Sequence, residues 1–144
     1  MLAELFSNNI FISGVIAGLV AQFLKMVVIS IENKRFVPIA FLELAGMPSA
    51  HTAVIIALTS STYLSEGITT SFIVFISFSL YVIIEVLSVE RDIGKHAERI
   101  DRLIKMLKLT QYYKPLRERW GHTVAEVIFG FILGLVVATL VNGY

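Results

Sequence analysis

The chain of 144 residues contains no cysteine, which excludes disulfide bonds, cysteine-ligated metals and thiol nucleophiles. Charged residues make up only 16% of it, against about 25% in an average soluble domain. Apolar residues make up 56%, and the mean hydropathy is +0.79. So few polar groups cannot coat a soluble domain of this size, and so many apolar groups exclude disorder. The composition predicts a protein embedded in a lipid bilayer.

Aspartate is also scarce, because the chain has only Asp92 and Asp101, both in one charged segment. Sites for Mg²⁺ are built from oxygen ligands, chiefly carboxylates. Since no carboxylate cluster can be drawn, we expect no metal and no cofactor. The same scarcity argues against a membrane alcohol phosphotransferase, which would need several aspartates.

Four apolar stretches predict an all-α integral membrane bundle of about four transmembrane helices, with residues 1–144 as one domain. They are Ile10–Ile31, Pro48–Leu64, Ile68–Val89 and Thr123–Val141. At 1.5 Å per residue the first is about 33 Å long, enough to cross a hydrocarbon core of about 30 Å. The apolar segment Phe36–Leu44 is too short to span and is expected at the interface.

The basic charge is concentrated between the third and fourth stretches. Residues 90–119 carry nine basic and five acidic side chains, whereas the rest of the chain carries three basic and six acidic ones. Apolar residues recur there at helical spacing, at Ala97, Ile100, Leu103, Ile104 and Leu107. This pattern predicts a basic amphipathic helix on the membrane surface. A solvated charged helix packed on a neighbour is the alternative.

Lysine and arginine in short loops mark the cytoplasmic side of a membrane protein. Lys34 and Arg35 follow the first stretch, and the basic segment follows the third. Four spans would put both on one side. We therefore expect a multi-pass protein of the cell membrane, with this face in the cytoplasm and both termini outside.

Several ionisable side chains lie within the apolar stretches or at their ends. At the bilayer centre such a group costs about 2.5–3.5 kcal/mol, and it usually has a function. With four spans, all of them lie toward the basic face. We expect this set to form a site: Lys25, His51, Glu85, Arg91, His122 and Glu126.

The segment 46–53, Gly-Met-Pro-Ser-Ala-His-Thr-Ala, has the features of a helix start. Pro48 suits a first helical position and Ser49 a cap. Free N–H groups and the helix dipole suit a phosphate there, to which the Ser49 hydroxyl and the Ala50 N–H can add hydrogen bonds. His51 can protonate a leaving oxygen. An ordinary helix cap is the alternative.

A second cluster lies in residues 117–130. His122 and Glu126 are four apart, so they share a helix face. A carboxylate that holds one imidazole nitrogen leaves the other aimed at a substrate, which improves the histidine as nucleophile or base. The alternative is a simple helical ion pair at an interface.

These two clusters, in this order, resemble the type 2 phosphatidic acid phosphatase and vanadium haloperoxidase superfamily, and more closely its small divergent membrane branch. The resemblance covers almost the whole chain. It implies that Lys25 and Ser49 bind phosphate, that His51 is the general acid, and that His122 is the nucleophile of a phosphohistidine. Glu126 stands where an aspartate that orients the nucleophile is expected.

The chain departs from the family pattern at several positions. No Arg-Pro pair follows the lysine at the family spacing, and Ala50 replaces a glycine. Arg117 lies five residues before the nucleophilic histidine, one short of the usual spacing. Glu90-Arg91 occupies the region where the branch has an Arg-Arg pair. Arg91 and Arg117 are therefore rival phosphate-binding arginines.

The resemblance implies a metal-independent lipid phosphate phosphatase. Its substrate would be phosphatidylglycerophosphate, phosphatidate or a polyprenyl phosphate or diphosphate, with phosphate and vanadate as site ligands and no nucleic-acid partner. The alternative is a non-catalytic lipid-binding or assembly protein that kept the fold. Its main features would be Gly14-x-x-x-Gly18 and Gly130-x-x-x-Gly134, which let helices approach closely. We expect these motifs to pack the first span on the fourth, with a homo-oligomer as the other use.

Overall fold

The computed structural model describes residues 2–43, 45–109 and 121–144, with side chains from residue 4 onward. The described chain forms helices joined by turns and loops, which confirms the all-α helical bundle. The elements are α1 (Leu2–Leu5), α2 (Asn9–Glu32), a 3₁₀-helix (Pro38–Leu42), α3 (Ala50–Glu66), α4 (Thr70–Leu87), α5 (Val89–Met106) and α6 (Val124–Asn142).

Polar side chains and one glycine fix the ends of the long helices. The Asn8 side chain accepts hydrogen bonds from two N–H groups in the first turn of α2, and Thr69 accepts one at the start of α4. Gly67 ends α3 with a φ of 72°. The Asn8 and Thr69 side chains thus accept hydrogen bonds from N–H groups that have no partner within the helix, and Gly67 adopts the positive φ at which α3 ends.

Three helical segments are long and apolar enough to cross a membrane: α2, the run through α4 and α5, and α6. Helix α3 has 17 residues, about 26 Å of helix. Eight of those residues are buried, and α3 packs on α2, α4 and α6. The second predicted span is thus the central helix of the bundle, and its crossing of the membrane stays a prediction.

Helices α4 and α5 are separated by Ser88 alone, and main-chain hydrogen bonds continue across it. On α5 the apolar side chains of Ile100 and Leu103 are exposed. The buried residues of this helix are Gly94, Ala97 and Asp101. The helix and its exposed apolar face agree with the sequence pattern, and its place on the membrane surface stays a prediction.

Small side chains form the centre of the bundle and bring the helices close together. The buried cluster consists of Ala17 and Ala21 from α2, Ala53 and Ala57 from α3, and Val137 from α6. Large apolar side chains point outward instead, which suits a lipid environment, where close contact of small residues holds helices together.

Both Gly-x-x-x-Gly motifs face α3. A Cβ on Gly130 would lie 2.5 Å from the carbonyl oxygen of Ser49, and one on Gly134 would lie 2.6 Å from another carbonyl oxygen of α3. Gly14 and Gly18 lie against side chains of the same helix. The prediction that the motifs pack the first span on the fourth is therefore wrong in its partner. Helices α2 and α6 also touch, but the glycines serve the central helix between them.

Polar side chains tie α2, α3 and α6 together at one end of the bundle. The Asn142 amide donates to the Ser61 hydroxyl at 2.8 Å and accepts from the Ser65 hydroxyl at 2.9 Å. The Asn9 amide donates to the same oxygen of Asn142 at 3.5 Å. This network closes the end of the bundle that is remote from the ionisable set.

Candidate active site

The other end of the bundle brings together segments that are far apart in sequence. The N–H of His122 donates to the Val86 carbonyl at 3.1 Å, which ties the start of α6 to the end of α4. The N–H of Ser49 donates to the Glu126 carbonyl at 3.0 Å, which ties the start of α3 to the first turn of α6. The two histidine clusters found in the sequence therefore meet.

Ser49 caps α3, and its hydroxyl is buried. The hydroxyl accepts from the N–H of Thr52 at 3.4 Å and from the Thr52 hydroxyl at 3.1 Å. Its own hydrogen remains a donor for an anion, whereas the Ser49 N–H is already bound to α6. Pro48 lies before the cap, so the expectation that it occupies the first helical position is wrong. Ala50 takes that position.

A carboxylate lies between the two histidines, and it belongs to Glu90. Nδ1 of His122 is 3.3 Å from Oε2 of Glu90, and Nδ1 of His51 is 4.0 Å from Oε1. The imidazole rings meet edge to face, with centroids 5.8 Å apart. The three side chains come from the start of α3, the α4–α5 junction and the loop before α6.

The two histidines differ in exposure. The His51 side chain is 47% exposed, whereas His122 is 2% exposed. Neither ring nitrogen of His122 has a hydrogen bond of good geometry within the described chain. Burial lowers the pKa of His122, and the charges of His51 and Lys25 act in the same direction against the opposing effect of Glu90. His122 is therefore held as the neutral base.

Gly121 sets the position of His122. Its φ is +79°, and a Cβ there would lie 2.4 Å from the backbone nitrogen and 2.6 Å from the Cα of Arg91. Only a residue without a side chain can approach the α4–α5 junction so closely. This approach places His122 next to Glu90.

Lys25 is fully buried on α2. Its ammonium donates to the carbonyl oxygen of Glu43 at 2.9 Å, and its alkyl chain packs against Gly46, whose φ is +124°. The carboxylates of Glu126, Glu43 and Glu90 lie within electrostatic range of its ammonium. The lysine thus reaches the loop that leads into α3, beside the histidines.

Glu126 fulfils a capping role. Its carboxylate accepts from the N–H of Thr123 at 2.9 Å, while the Thr123 hydroxyl accepts from the Glu126 N–H at 3.2 Å, a capping box. The carboxylate beside His122 is that of Glu90, so the geometry gives Glu90 the position that the resemblance assigned to Glu126.

Of the two candidate phosphate-binding arginines, only one lies within the described residues. Arg91 is exposed on the first turn of α5, and its guanidinium forms no ion pair or hydrogen bond within the described ranges. Arg117 lies outside the described residues. Glu85 is half-buried on the last turn of α4.

An apolar groove of about 770 Å³ runs beside the histidines between α2, α3 and α4. It extends from Phe11, near the start of α2, to Ala50 and His51 at the start of α3. His51 lines the groove and contacts His122, so a ligand in the groove meets His51 first. The side chains of Val54, Leu58 and Phe78 also line the groove.

Sequence reasoning missed Glu90 and Gly121. Glu90 was noticed only as the neighbour of Arg91, although a carboxylate just after an apolar stretch was itself a signal. Gly121 has no side chain that could take part in chemistry, and its one signal in the sequence is its position directly before the candidate nucleophile.

Comparison with known proteins identifies the family of the chain. The sequence model described as the "Divergent PAP2 family" matches residues 6–137, which include both histidines, Lys25 and Glu90. The chain belongs to the divergent PAP2 family. Family membership confirms the resemblance to the divergent membrane branch.

Among its relatives, this divergent PAP2 protein is 28% identical over 155 residues to the "Uncharacterized membrane protein YuiD" of Bacillus subtilis (strain 168), and the match covers 98% of each chain. This relative supports a membrane protein. No solved structure matches the chain.

Proposed function

We propose that this divergent PAP2 protein is a lipid phosphate phosphatase that works through a phosphohistidine on His122. The supporting observation is the edge-to-face pair of histidines, one buried and neutral, the other half-exposed. A buried neutral imidazole suits a nucleophile, and an exposed one that exchanges protons with water suits a general acid.

In the first step, Nε2 of His122 attacks phosphorus, the P–O ester bond breaks, and protonated His51 gives its proton to the departing oxygen. Glu90 keeps the proton of His122 on Nδ1 and stabilises the charge that develops on the ring. In the second step, His51 takes a proton from water, whose oxygen attacks phosphorus. The P–N bond breaks, phosphate leaves, and both histidines return to their starting states.

The phosphoryl oxygens would be bound by Lys25, the Ser49 hydroxyl and the Ala50 N–H. Arg91 or Arg117 would supply a further cation. These groups neutralise charge without a metal, and preorganised donors of this kind supply much of the rate in phosphoryl transfer. Because His51 stands between the groove and His122, rotation of the half-exposed His51 side chain would admit the phosphate.

The apolar groove favours a lipid substrate. A phosphate beside His51 would leave an attached acyl or prenyl chain directly next to the groove, which reaches along the bundle toward Phe11. Phosphatidylglycerophosphate, phosphatidate and polyprenyl phosphates or diphosphates all fit this division into head and chain. The loop charges favour a site on the cytoplasmic face of the cell membrane. A reporter fused after Tyr144 should therefore be active only when it works outside the cell.

Glu90 favours a second candidate function, a non-catalytic lipid-binding or assembly protein. Its carboxylate lies 3.3 Å from His122, where it would repel a phosphate. Such a protein would tolerate loss of His122 without a change in its activity in the membrane.

The test uses the purified protein in detergent with a chelator present. Each candidate lipid phosphate is offered, and release of inorganic phosphate is measured for the unaltered chain and for His122→Ala and His51→Ala. His96→Ala, an exposed histidine of α5, is the matched control. We expect release to depend on His122 and His51, to stop with vanadate, and to survive His96→Ala.

Trapping of the intermediate gives a second measurement. A brief reaction with a labelled lipid phosphate should leave acid-labile phosphate on the protein, and none on the His122→Ala variant. A folded protein that releases phosphate from none of the lipids would contradict the proposal and favour the lipid-binding alternative.

A further inference from the structure

The cluster of His51, Glu90 and His122 has the composition and spacing of a metal site. One ligand atom from each side chain lies within 4.8 Å of the others. The two histidine–carboxylate distances are 3.3 and 4.0 Å. Two ligands of a tetrahedral Zn²⁺, each about 2.0–2.2 Å from the ion, lie roughly 3.3–3.5 Å apart. A small rotation of the half-exposed His51 would close the remaining gap.

The state of His122 is an independent observation. Its side chain is 1% exposed, and neither ring nitrogen has a hydrogen bond of good geometry in the described part of the chain, although the Glu90 carboxylate lies 3.3 Å from Nδ1. A buried polar group whose hydrogen bonds are not satisfied destabilises the fold. Coordination would satisfy the nitrogen that faces Glu90, and the carboxylate would balance part of the charge of the ion.

We propose that His51, Glu90 and His122 bind a divalent transition metal such as Zn²⁺ through two imidazole nitrogens and one carboxylate oxygen. This ligand set suits zinc, and three protein ligands leave a fourth position for water or a phosphate oxygen. Mg²⁺ and Ca²⁺ prefer oxygen ligands and would compete poorly.

Metal binding and phosphohistidine formation exclude each other. A metal-bound neutral imidazole carries its proton on the second nitrogen, so His122 would have no lone pair left to attack phosphorus. A bound His51 would likewise fail to accept and deliver a proton. The metal would therefore inhibit the reaction, a consequence that rests on the proposed function, whereas the binding itself does not.

The test is direct binding to the full chain in detergent after treatment with EDTA and removal of the chelator. Zn²⁺ alone is followed by calorimetry, and Co²⁺ alone by its visible absorption. We expect one ion per chain, with binding weakened at least about tenfold in Glu90→Gln, His51→Gln and His122→Gln. The matched controls are His96→Gln, exposed on α5, and Glu98→Gln, which is half-exposed on the same helix and paired with Arg102; both should bind as the unaltered chain does.

Absence of stoichiometric binding by the folded chain would overturn the proposal, as would equal loss in the control variants. Folding is checked by helical circular dichroism and elution as a single species. If His122→Gln does not fold, the test rests on Glu90→Gln and on His51→Gln, because the His51 side chain is half-exposed. Binding is measured without substrate, so a chain that binds Zn²⁺ and hydrolyses nothing contradicts only the phosphatase. A phosphatase that binds no Zn²⁺ contradicts only the metal site.

Discussion

Substitution of Gly121 tests whether the close approach at the α4–α5 junction positions His122. In Gly121→Ala the new Cβ would lie 2.4 and 2.6 Å from backbone atoms of Arg91 and 2.8 Å from the carbonyl carbon of Glu90. Backbone atoms cannot turn aside as a flexible side chain can. The loop must therefore move by about 1 Å to restore ordinary contact distances of about 3.5–4.0 Å. The movement would separate His122 from Glu90.

Two terms contribute to the loss of stability. An alanine with the φ of +79° seen at Gly121 costs about 1–2 kcal/mol. Overpacking against a backbone costs about 1–3 kcal/mol more. Gly143→Ala is the matched control, because Gly143 has a φ of +78° in the left-handed helical region and nothing within 4 Å of its Cβ position. The control variant should lose only the stability that the unfavourable φ costs.

Thermal unfolding in detergent measures both variants, and phosphate release measures the displacement of His122. We expect Gly121→Ala to be less stable than Gly143→Ala by about 1–3 kcal/mol, and to lose most of its activity while Gly143→Ala keeps it. Equal stability and equal activity of the two variants would refute the reasoning, because the junction would then have room for a side chain.

Three further predictions concern charge and packing. Because burial holds the pKa of His122 below its usual value, the fall of kcat/KM on the acid side, with EDTA present, should lie below about pH 6.5. Glu90→Gln removes a charge that raises this pKa and should move the acid-side fall to still lower pH, whereas an acid-side fall that begins above the usual value would contradict the reasoning. Gly130→Ala, whose Cβ meets a carbonyl oxygen at 2.5 Å, should lower the melting temperature more than Gly18→Ala, which meets only a methyl group at 3.0 Å. Lys25→Met leaves the carbonyl oxygen of Glu43 without its ammonium donor and should cost about 1–3 kcal/mol of unfolding free energy. Lys25→Arg should recover part of it in the same measurement, and an unchanged stability of the Met variant would contradict the role of this hydrogen bond.

The positions of the long helices could be predicted from the sequence to within two residues. The stretch Ile10–Ile31 corresponds to Asn9–Glu32, Ile68–Val89 to Thr70–Leu87, and Thr123–Val141 to Val124–Asn142. The agreement has a physical cause, since a helix in lipid must satisfy its own hydrogen bonds and stay apolar along its length. Both properties are local, so each stretch shows them by itself.

The arrangement of the helices could not be predicted in the same way. Helix α3 is the least apolar of the long stretches and lies in the centre, so its neighbours replace lipid along most of its surface. Gly14 and Gly130 therefore both face α3, although the motifs alone suggested that they face each other. The choice of partner depends on contacts between residues far apart in the chain, which spacing within one motif does not encode.

The carboxylate at the site shows the same limit. The four-residue spacing of His122 and Glu126 on one helix face favoured Glu126 as the partner of the histidine. In the fold, His122 precedes the first turn of α6, and the Glu126 carboxylate is used in the capping box. Glu90 reaches His122 from α5, and the hydrogen bond to Val86 and the close approach of Gly121 bring the two together.

The sequence alone determined that this is a helical membrane protein, because solvation by lipid acts on each segment separately. It also supplied the two histidine motifs that indicate the divergent PAP2 family. The tertiary structure decided which groups meet, because that depends on how closely glycine and alanine allow the helices to pack. It placed α3 in the centre, put Glu90 between His51 and His122, and opened an apolar groove beside them.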